Sequence, residues 1–307
     1  MGKQMQGLLI VGAGWIGRQV ALRTAICGLP VALLDKSPAV LSDARSWMQT
    51  QAPDYLRTIT DESRTIDLQP LGTFHFDLNS AMDWQDRLSF SEKWESNSAV
   101  PAVVLECVPE QVAIKRRVLK EFSETFDESV IIASNSSYFT PGMLKRYVVH
   151  PQRFAHWHFH VPLERSSIAD VSPAEETGAW VVERLVELSV RIGQYPLVLR
   201  HEHSGYVFNW LLQSVLRGAL ELAAEDVVDP REIDRAWVAV SKMPIGPFAM
   251  MDHIGLDVIE QVLSNARWAD ERSVPIDSLL AILKKPIEQG HLGIKSGEGF
   301  YKYKKEE

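Results

Sequence analysis

Apolar positions fall into short unbroken runs in the first half of the chain and into helical stripes in the second. Leu8-Leu9-Ile10-Val11 and Val31-Ala32-Leu33-Leu34 are wholly apolar, the pattern of strands covered on both faces of a parallel sheet. Between them Ile16, Val20, Ala21, Thr24 and Cys27 recur at helical spacing until Gly28, a residue suited to a helix end. The alternation continues with a helix over 38–50, a strand at Ala102–Leu105, a helix over Glu110–Phe126 and a strand at Val130–Ala133. Arg153–His160 reads as a further strand, whereas 51–95 shows no clear period. Strands alternating with helices predict an α/β fold with a doubly wound parallel sheet, its ligand lying beyond the carboxyl ends of the strands.

After Leu197-Val198-Leu199 the pattern changes. From Gly205 onward, Phe208, Leu212, Leu216 and Leu220 form one stripe and Val207, Leu211 and Val215 a second, beside a polar stripe of Asn209, Gln213, Arg217, Glu221 and Glu225. So wide an apolar arc predicts a helix buried in a helical core or a subunit interface. Further helices are expected at 230–240, 247–264 and 275–289, with Pro244-Ile245-Gly246-Pro247 as a break. The expected organisation is a nucleotide-binding domain over 1–200 and an all-α C-terminal domain over 201–307.

Composition narrows the classes. A chain of 307 residues is long enough for two domains with their own cores. The net charge of −8 and the lack of a long basic run argue against nucleic acid or an anionic membrane as partner. The longest apolar run, Gly7–Gly17, is far short of the ~20 residues that span a bilayer. Met1-Gly2 hints at myristoylation, but position 6 is Gln rather than Ser or Thr. Cys27 and Cys107 stand apart in apolar surroundings without a CxxC partner, so buried thiols of a cytoplasmic protein are expected.

The first strand runs directly into Gly12-Ala13-Gly14-Trp15-Ile16-Gly17, and the second ends in Asp35, 23 residues after Gly12. In a Rossmann-type unit Gly12 permits the tight turn, Gly14 lets backbone approach a pyrophosphate and Gly17 allows close packing of helix on strand. The helix start offers N–H groups and a positive dipole end to the phosphates. Asp35 is placed to bond a ribose 2′-hydroxyl and to repel a 2′-phosphate, which favours NAD over NADP, although Lys36 beside it weakens that preference.

The motifs taken together resemble the L-3-hydroxyacyl-CoA dehydrogenases, including relatives that oxidise free hydroxy acids. The resemblance runs through the glycine fingerprint, Leu105-Glu106-Cys107-Val108-Pro109-Glu110 with Lys115, and Ala133-Ser134-Asn135-Ser136-Ser137. It continues with Arg153-Phe154-Ala155 leading to His158-Phe159, Gly205-Tyr206-Val207-Phe208-Asn209, Gly246-Pro247-Phe248, Asp252–Asp257 and Leu292–Tyr301. Only 51–95 shows little similarity.

The resemblance implies a site. His158 corresponds to the family's base, and Asp170 stands at the gapless counterpart of the glutamate that orients it. Ser137 corresponds to the serine that bonds the substrate oxygen, and Asn209 to the asparagine that holds the reacting carbonyl. Glu110 and Lys115 correspond to the pair flanking the nicotinamide ribose. Gly12, Gly14, Trp15, Ile16, Gly17, Asp35 and Asn135 complete the expected cofactor contacts, and a homodimer through the 205–300 helices is implied.

Plainer readings stand beside these. Asn209 also opens its helix's polar stripe, and Lys115 could be a solvated helix charge. His156, His158 and His160 would share one strand face, a metal-like spacing, but no suitably spaced Asp, Glu or Cys is evident in the sequence to complete a shell, so no metal is expected. Two departures bear on substrate. Val161-Pro162 replaces the family's usual Asn-Pro, and residues 36–88, where the family's CoA-contacting arm begins, hold five basic and eight acidic side chains. The expected activity is NAD-dependent interconversion of 3-hydroxyacyl and 3-oxoacyl groups as CoA thioesters. A small free 3-hydroxy acid, as in the gulonate and carnitine dehydrogenase relatives, is the alternative. An NAD-binding protein with a structural or sensing role is a third reading.

Overall fold

In the computed structural model the first strand, β1 (Leu8–Val11), leads into α1 (Trp15–Ile26), β2 (Val31–Leu34) and α2 (Pro38–Thr60). The structure describes residues 7–60, 66–67, 71, 73–74, 77, 81–95, 99–265 and 274–303. A two-residue hairpin, β3 (Ile66–Asp67) with β4 (Thr73–Phe74), precedes β5 (Leu88–Ser91) and β6 (Val103–Glu106). Then come α3 (Val112–Thr125), β7 (Ile131–Ser134), the short α4 (Pro141–Leu144), β8 (Phe154–Phe159), β9 (Ile168–Pro173), α5 (Ala179–Arg191) and β10 (Tyr195–Val198).

The strands other than the hairpin form one sheet in the order β10-β9-β8-β7-β6-β1-β2-β5. It is the expected doubly wound sheet with one correction: β8 and β9 run antiparallel, while the other neighbours are parallel. Residues 160–167 join them without a crossover helix, and a parallel return needs a dozen or more residues. The alternation within β1 shows why its run is wholly apolar. Leu8 and Ile10 join a core with Val20, Ala21 and Leu22 of α1, whereas Leu9 and Val11 join one with Leu119 and Phe122 of α3. Each face of the sheet is covered by helices, so neither set of side chains meets water.

The first compact unit ends at Tyr206 and the second runs from Val207 to Glu307. The second is helical: α6 (Phe208–Ala224), α7 (Pro230–Ser241), α8 (Pro247–Ile254), α9 (Leu256–Asn265) and α10 (Ile276–Glu288). Its core gathers Leu216 and Leu220 with Phe248, Met251, Leu256, Leu279 and Leu283. The single helix expected over 247–264 is two, because Gly255 takes φ 106°, a conformation that ends a helix and suits glycine. Arg217 departs from its expected polar stripe: it is buried and ion-paired to Glu221 at 2.7 Å. Both cysteines are free and only partly buried, not fully as expected. Burial nonetheless pushes the Cys27 thiol up to about 11, with the Arg23 charge opposing it. No helix among the described residues is long and apolar enough to cross a membrane.

Candidate active site

Strand order turns about β1, with β2 and β5 on one side and β6 to β10 on the other. The register lines up the carboxyl ends of β1, β6 and β7, with Val11 paired to Glu106 and Glu106 to Ser134, while β8, paired to Ser134 at His156, continues to Phe159. The residues just beyond that row form the loops where such a sheet binds its ligand.

The glycine loop fits a dinucleotide. Gly12 has φ 108°, and a Cβ there would lie 2.6 Å from the Cys107 carbonyl oxygen. A Cβ on Gly17 would collide with the carbonyl oxygen of Gly12, whereas nothing stands within 4 Å of one built on Gly14. Backbone is therefore bare at Gly14, the N-cap of α1, where no side chain caps the helix. Asp35 Oδ2 accepts from Ala13 N and Oδ1 from Ser37 N, each at 3.0 Å. The acid thus braces the loop, and each oxygen keeps a lone pair for a ribose hydroxyl. Ile16 packs against the core beneath, while Trp15 is 51% exposed. The Arg18 guanidinium lies over both the Trp15 and Trp47 rings, at 4.9 and 4.7 Å, and bonds Asp43 at 2.9 Å.

A charged cluster follows β6. Lys115 is 1% exposed, so it is not a solvated helix charge. Its Nζ meets Glu106 Oε1 at 2.8 Å and Glu110 Oε2 at 3.0 Å. Burial works against the ammonium, but the two carboxylates outweigh it and hold its pKa above the ordinary value. Burial likewise opposes the Glu110 charge, yet Lys115 and the Ser136 hydroxyl, with Tyr138 N, hold it below the usual carboxylate range. Ser134 Oγ donates to Glu106 at 2.6 Å, tying β7 to β6. Asn135, expected at the cofactor, accepts from Phe159 N at 2.9 Å through its side-chain oxygen, so it also pins the end of β8.

The imidazole of His158 is held at both nitrogens. Its Nε2 is 3.1 Å from Ser137 Oγ, and its Nδ1 is 3.0 Å from Asp170 Oδ2. His158 and Asp170 are directly opposed across the antiparallel β8/β9 ladder. An ionised carboxylate only accepts, so Nδ1 carries the proton and Nε2 presents its lone pair toward Ser137. Burial lowers the His158 pKa, and the Asp170 hydrogen bond only partly offsets it, so the ring is a neutral base near neutral pH. For Asp170, burial would raise the pKa, but the hydrogen bonds from His158 and His160 hold it below the ordinary value.

The three histidines do share one side of the strand, His156 and His158 against Tyr206 and His160 against His158. The expectation that no suitably placed acid exists is corrected, because Asp170 comes from the neighbouring strand. His160 Nε2 bonds the same Asp170 oxygen at 2.8 Å. His158, His160 and Asp170 offer ligand atoms within 4.8 Å of one another. In this arrangement both ring nitrogens make their contact with the carboxylate as hydrogen bonds, at 3.0 and 2.8 Å. His156 is wholly buried, its Nδ1 2.9 Å from the hydroxyl of Tyr206, which donates to Ser136 O at 2.5 Å. Since that hydroxyl proton goes to Ser136, His156 Nδ1 is the donor, and burial, then the Lys115 charge, keep the ring neutral. Tyr206 also stacks on His158, with centroids 4.3 Å apart and planes 14° apart. Sequence reading assigned no role to Glu106, Ser136, His160 or Tyr206. Asn209 belongs to the second unit, partly exposed in the first turn of α6.

Comparison with known proteins covers the chain in two adjoining parts. The model for the 3-hydroxyacyl-CoA dehydrogenase NAD binding domain matches residues 7–202, and that for the C-terminal domain of the same enzymes matches 205–303. The chain is 28% identical to 5-formyl-3-hydroxy-2-methylpyridine 4-carboxylate 5-dehydrogenase of Mesorhizobium japonicum, over 99% of this chain and 92% of that protein. Among solved structures it is similar to a diketoreductase acting on dicarbonyl compounds, at 28% identity and TM-score 0.83, covering 99% of this chain and 100% of the other. It is also similar to (S)-3-hydroxybutyryl-CoA dehydrogenase of Ralstonia eutropha, at 26% identity and TM-score 0.81, covering 98% and 100%. The two domain models fall in order and together take in nearly all of the sequence: the protein belongs to the 3-hydroxyacyl-CoA dehydrogenase family of NAD-dependent oxidoreductases.

Proposed function

We propose that the protein interconverts 3-hydroxyacyl and 3-oxoacyl groups as CoA thioesters, with His158 as general base and acid. The observation that carries this reading is the line Ser137 Oγ, His158, Asp170, spaced at 3.1 and 3.0 Å, with the serine just beyond β7, the histidine in β8 and the acid in β9. NAD, which the glycine loop and Asp35 would hold, would supply the acceptor for the hydride leaving the hydroxyl carbon. His158 Nε2 takes the hydroxyl proton, and Asp170 offsets the positive charge that then spreads over the ring. Ser137 bonds the substrate oxygen, and Asn209 holds the reacting carbonyl. In the reducing direction the imidazolium returns the proton to the same oxygen. Glu110 and Lys115 would flank the nicotinamide ribose, Asp35 would take the adenosine ribose, and the backbone at Gly14, Trp15 and Ile16 would face the pyrophosphate. The active form in this reading is a homodimer built through the helices of 205–300.

A second substrate reading, a small free 3-hydroxy acid, is favoured by the acid excess of residues 36–88. Such a segment offers little to a 3′-phospho-ADP moiety, and Arg18, which packs on Trp47 of that segment, is held by its Asp43. NADH oxidation with acetoacetyl-CoA and with free acetoacetate separates the two. Rapid turnover of the thioester is the expected result, and turnover of the free acid alone shifts the assignment to the second reading. His158→Gln should lower kcat on the productive substrate roughly 10²- to 10⁴-fold while NADH still binds. Undiminished turnover would remove His158 from the mechanism.

A further inference from the structure

Asp170 serves two rings through one atom. Its Oδ2 lies 3.0 Å from His158 Nδ1 and 2.8 Å from His160 Nε2, and its Oδ1 has no hydrogen-bond partner among the described residues. The carboxylate is fully buried, away from bulk solvent. The terminal torsion of an aspartate is broad, and a single N–H from His158 would leave the carboxylate plane free to tilt about that bond. His160 directly follows β8, and its ring meets that of His158 edge-on, centroids 4.8 Å apart at 88°. The two donors therefore reach one oxygen from different directions.

We propose that His160 is a positioning residue for the base: its Nε2–H clamps the Asp170 carboxylate in the orientation that receives His158 Nδ1–H. It touches no reacting atom in this arrangement. Through Asp170 it keeps His158 in the tautomer whose Nε2 is free to take a proton. The proposal rests on His158 being the base.

Three substitutions test it, assayed with NADH and with acetoacetyl-CoA or acetoacetate, according to which the parent turns over. His160→Phe removes the donor and should lower kcat roughly tenfold, with KM and NADH affinity within about twofold of the parent. His160→Gln carries an amide N–H at nearly the reach of Nε2 and should restore most of the rate. His160→Asn, polar but too short, should be as slow as Phe, and it carries the comparison should Phe lower the melting temperature. Parent-level kcat in His160→Phe and His160→Asn overturns the proposal, and so does a Gln variant as slow as these at unchanged melting temperature. If His158→Gln is inactive while the His160 variants run at full rate, only the clamp is wrong. If His158→Gln is fully active, the base assignment falls and the clamp with it. The low-field proton resonance of His158 Nδ1–H gives a readout that needs no substrate. It should persist in His160→Gln and move or broaden in His160→Phe, and an unmoved resonance in the Phe variant overturns the clamp.

Discussion

Two histidines of one strand occupy opposite chemical positions. His158 has an acid at one nitrogen and a serine hydroxyl at the other, whereas His156 has only a tyrosine hydroxyl and an Nε2 with no partner among the described residues. Burial, then the charge of Lys115 and the neighbouring His158, hold the His156 pKa well below its ordinary 6.5. The unfolded chain takes up that proton near 6.5 while the folded chain does not. Stability from this residue is therefore complete above that pH and is lost as pH falls below it. His158, lowered in the same direction, adds to the slope. The melting temperature should drop between about pH 7 and pH 5, and His156→Leu should make the drop shallower. An unchanged slope in that variant would show that His156 is protonated in the folded protein.

At the scale of elements, the glycine turn is built by steric necessity. Gly17→Ala would drive a methyl into the Gly12 carbonyl that shapes the phosphate loop, so NADH affinity should fall at least about tenfold in fluorescence titration. Affinity equal to the parent's would mean that the loop can shift without loss. This unit was legible in the sequence because its signals are local: two apolar runs, three spaced glycines and a closing acid. Other elements were not. In β9, Asp170 and Ser172 alternate with Ala169 and Val171. That polar run looks like a loop until it lies beside β8. Helix α2, expected over 38–50, extends to Thr60 through an internal Pro53. His158 and Asp170 could be paired by resemblance alone. His160 and Tyr206 could not, since their partners lie 10 and 50 residues away and only the folded register brings them together.

For the whole molecule, the net charge of −8 sits beside apolar groups left open in the second unit. Leu211 is 60% exposed and Val240 is 85% exposed. Light scattering should return twice the mass of the 34.6 kDa chain, and Leu211→Glu should shift it toward one. A single-chain mass for the parent would count against the dimer. The antiparallel β8/β9 pairing has a different kind of consequence. Because His158 faces Asp170 across a strand ladder, the backbone register, and not the span of chain between them, determines which acid meets the imidazole. The turn at 161–167 can therefore be exchanged for a longer or shorter one without parting the two. A one-residue deletion within β9 ahead of Asp170 would turn its side chain to the opposite side of the sheet, leaving both imidazoles without their shared anion. The His158–Asp170 pair is in this sense a movable part, seated by the weave of two strands and indifferent to the thread that joins them.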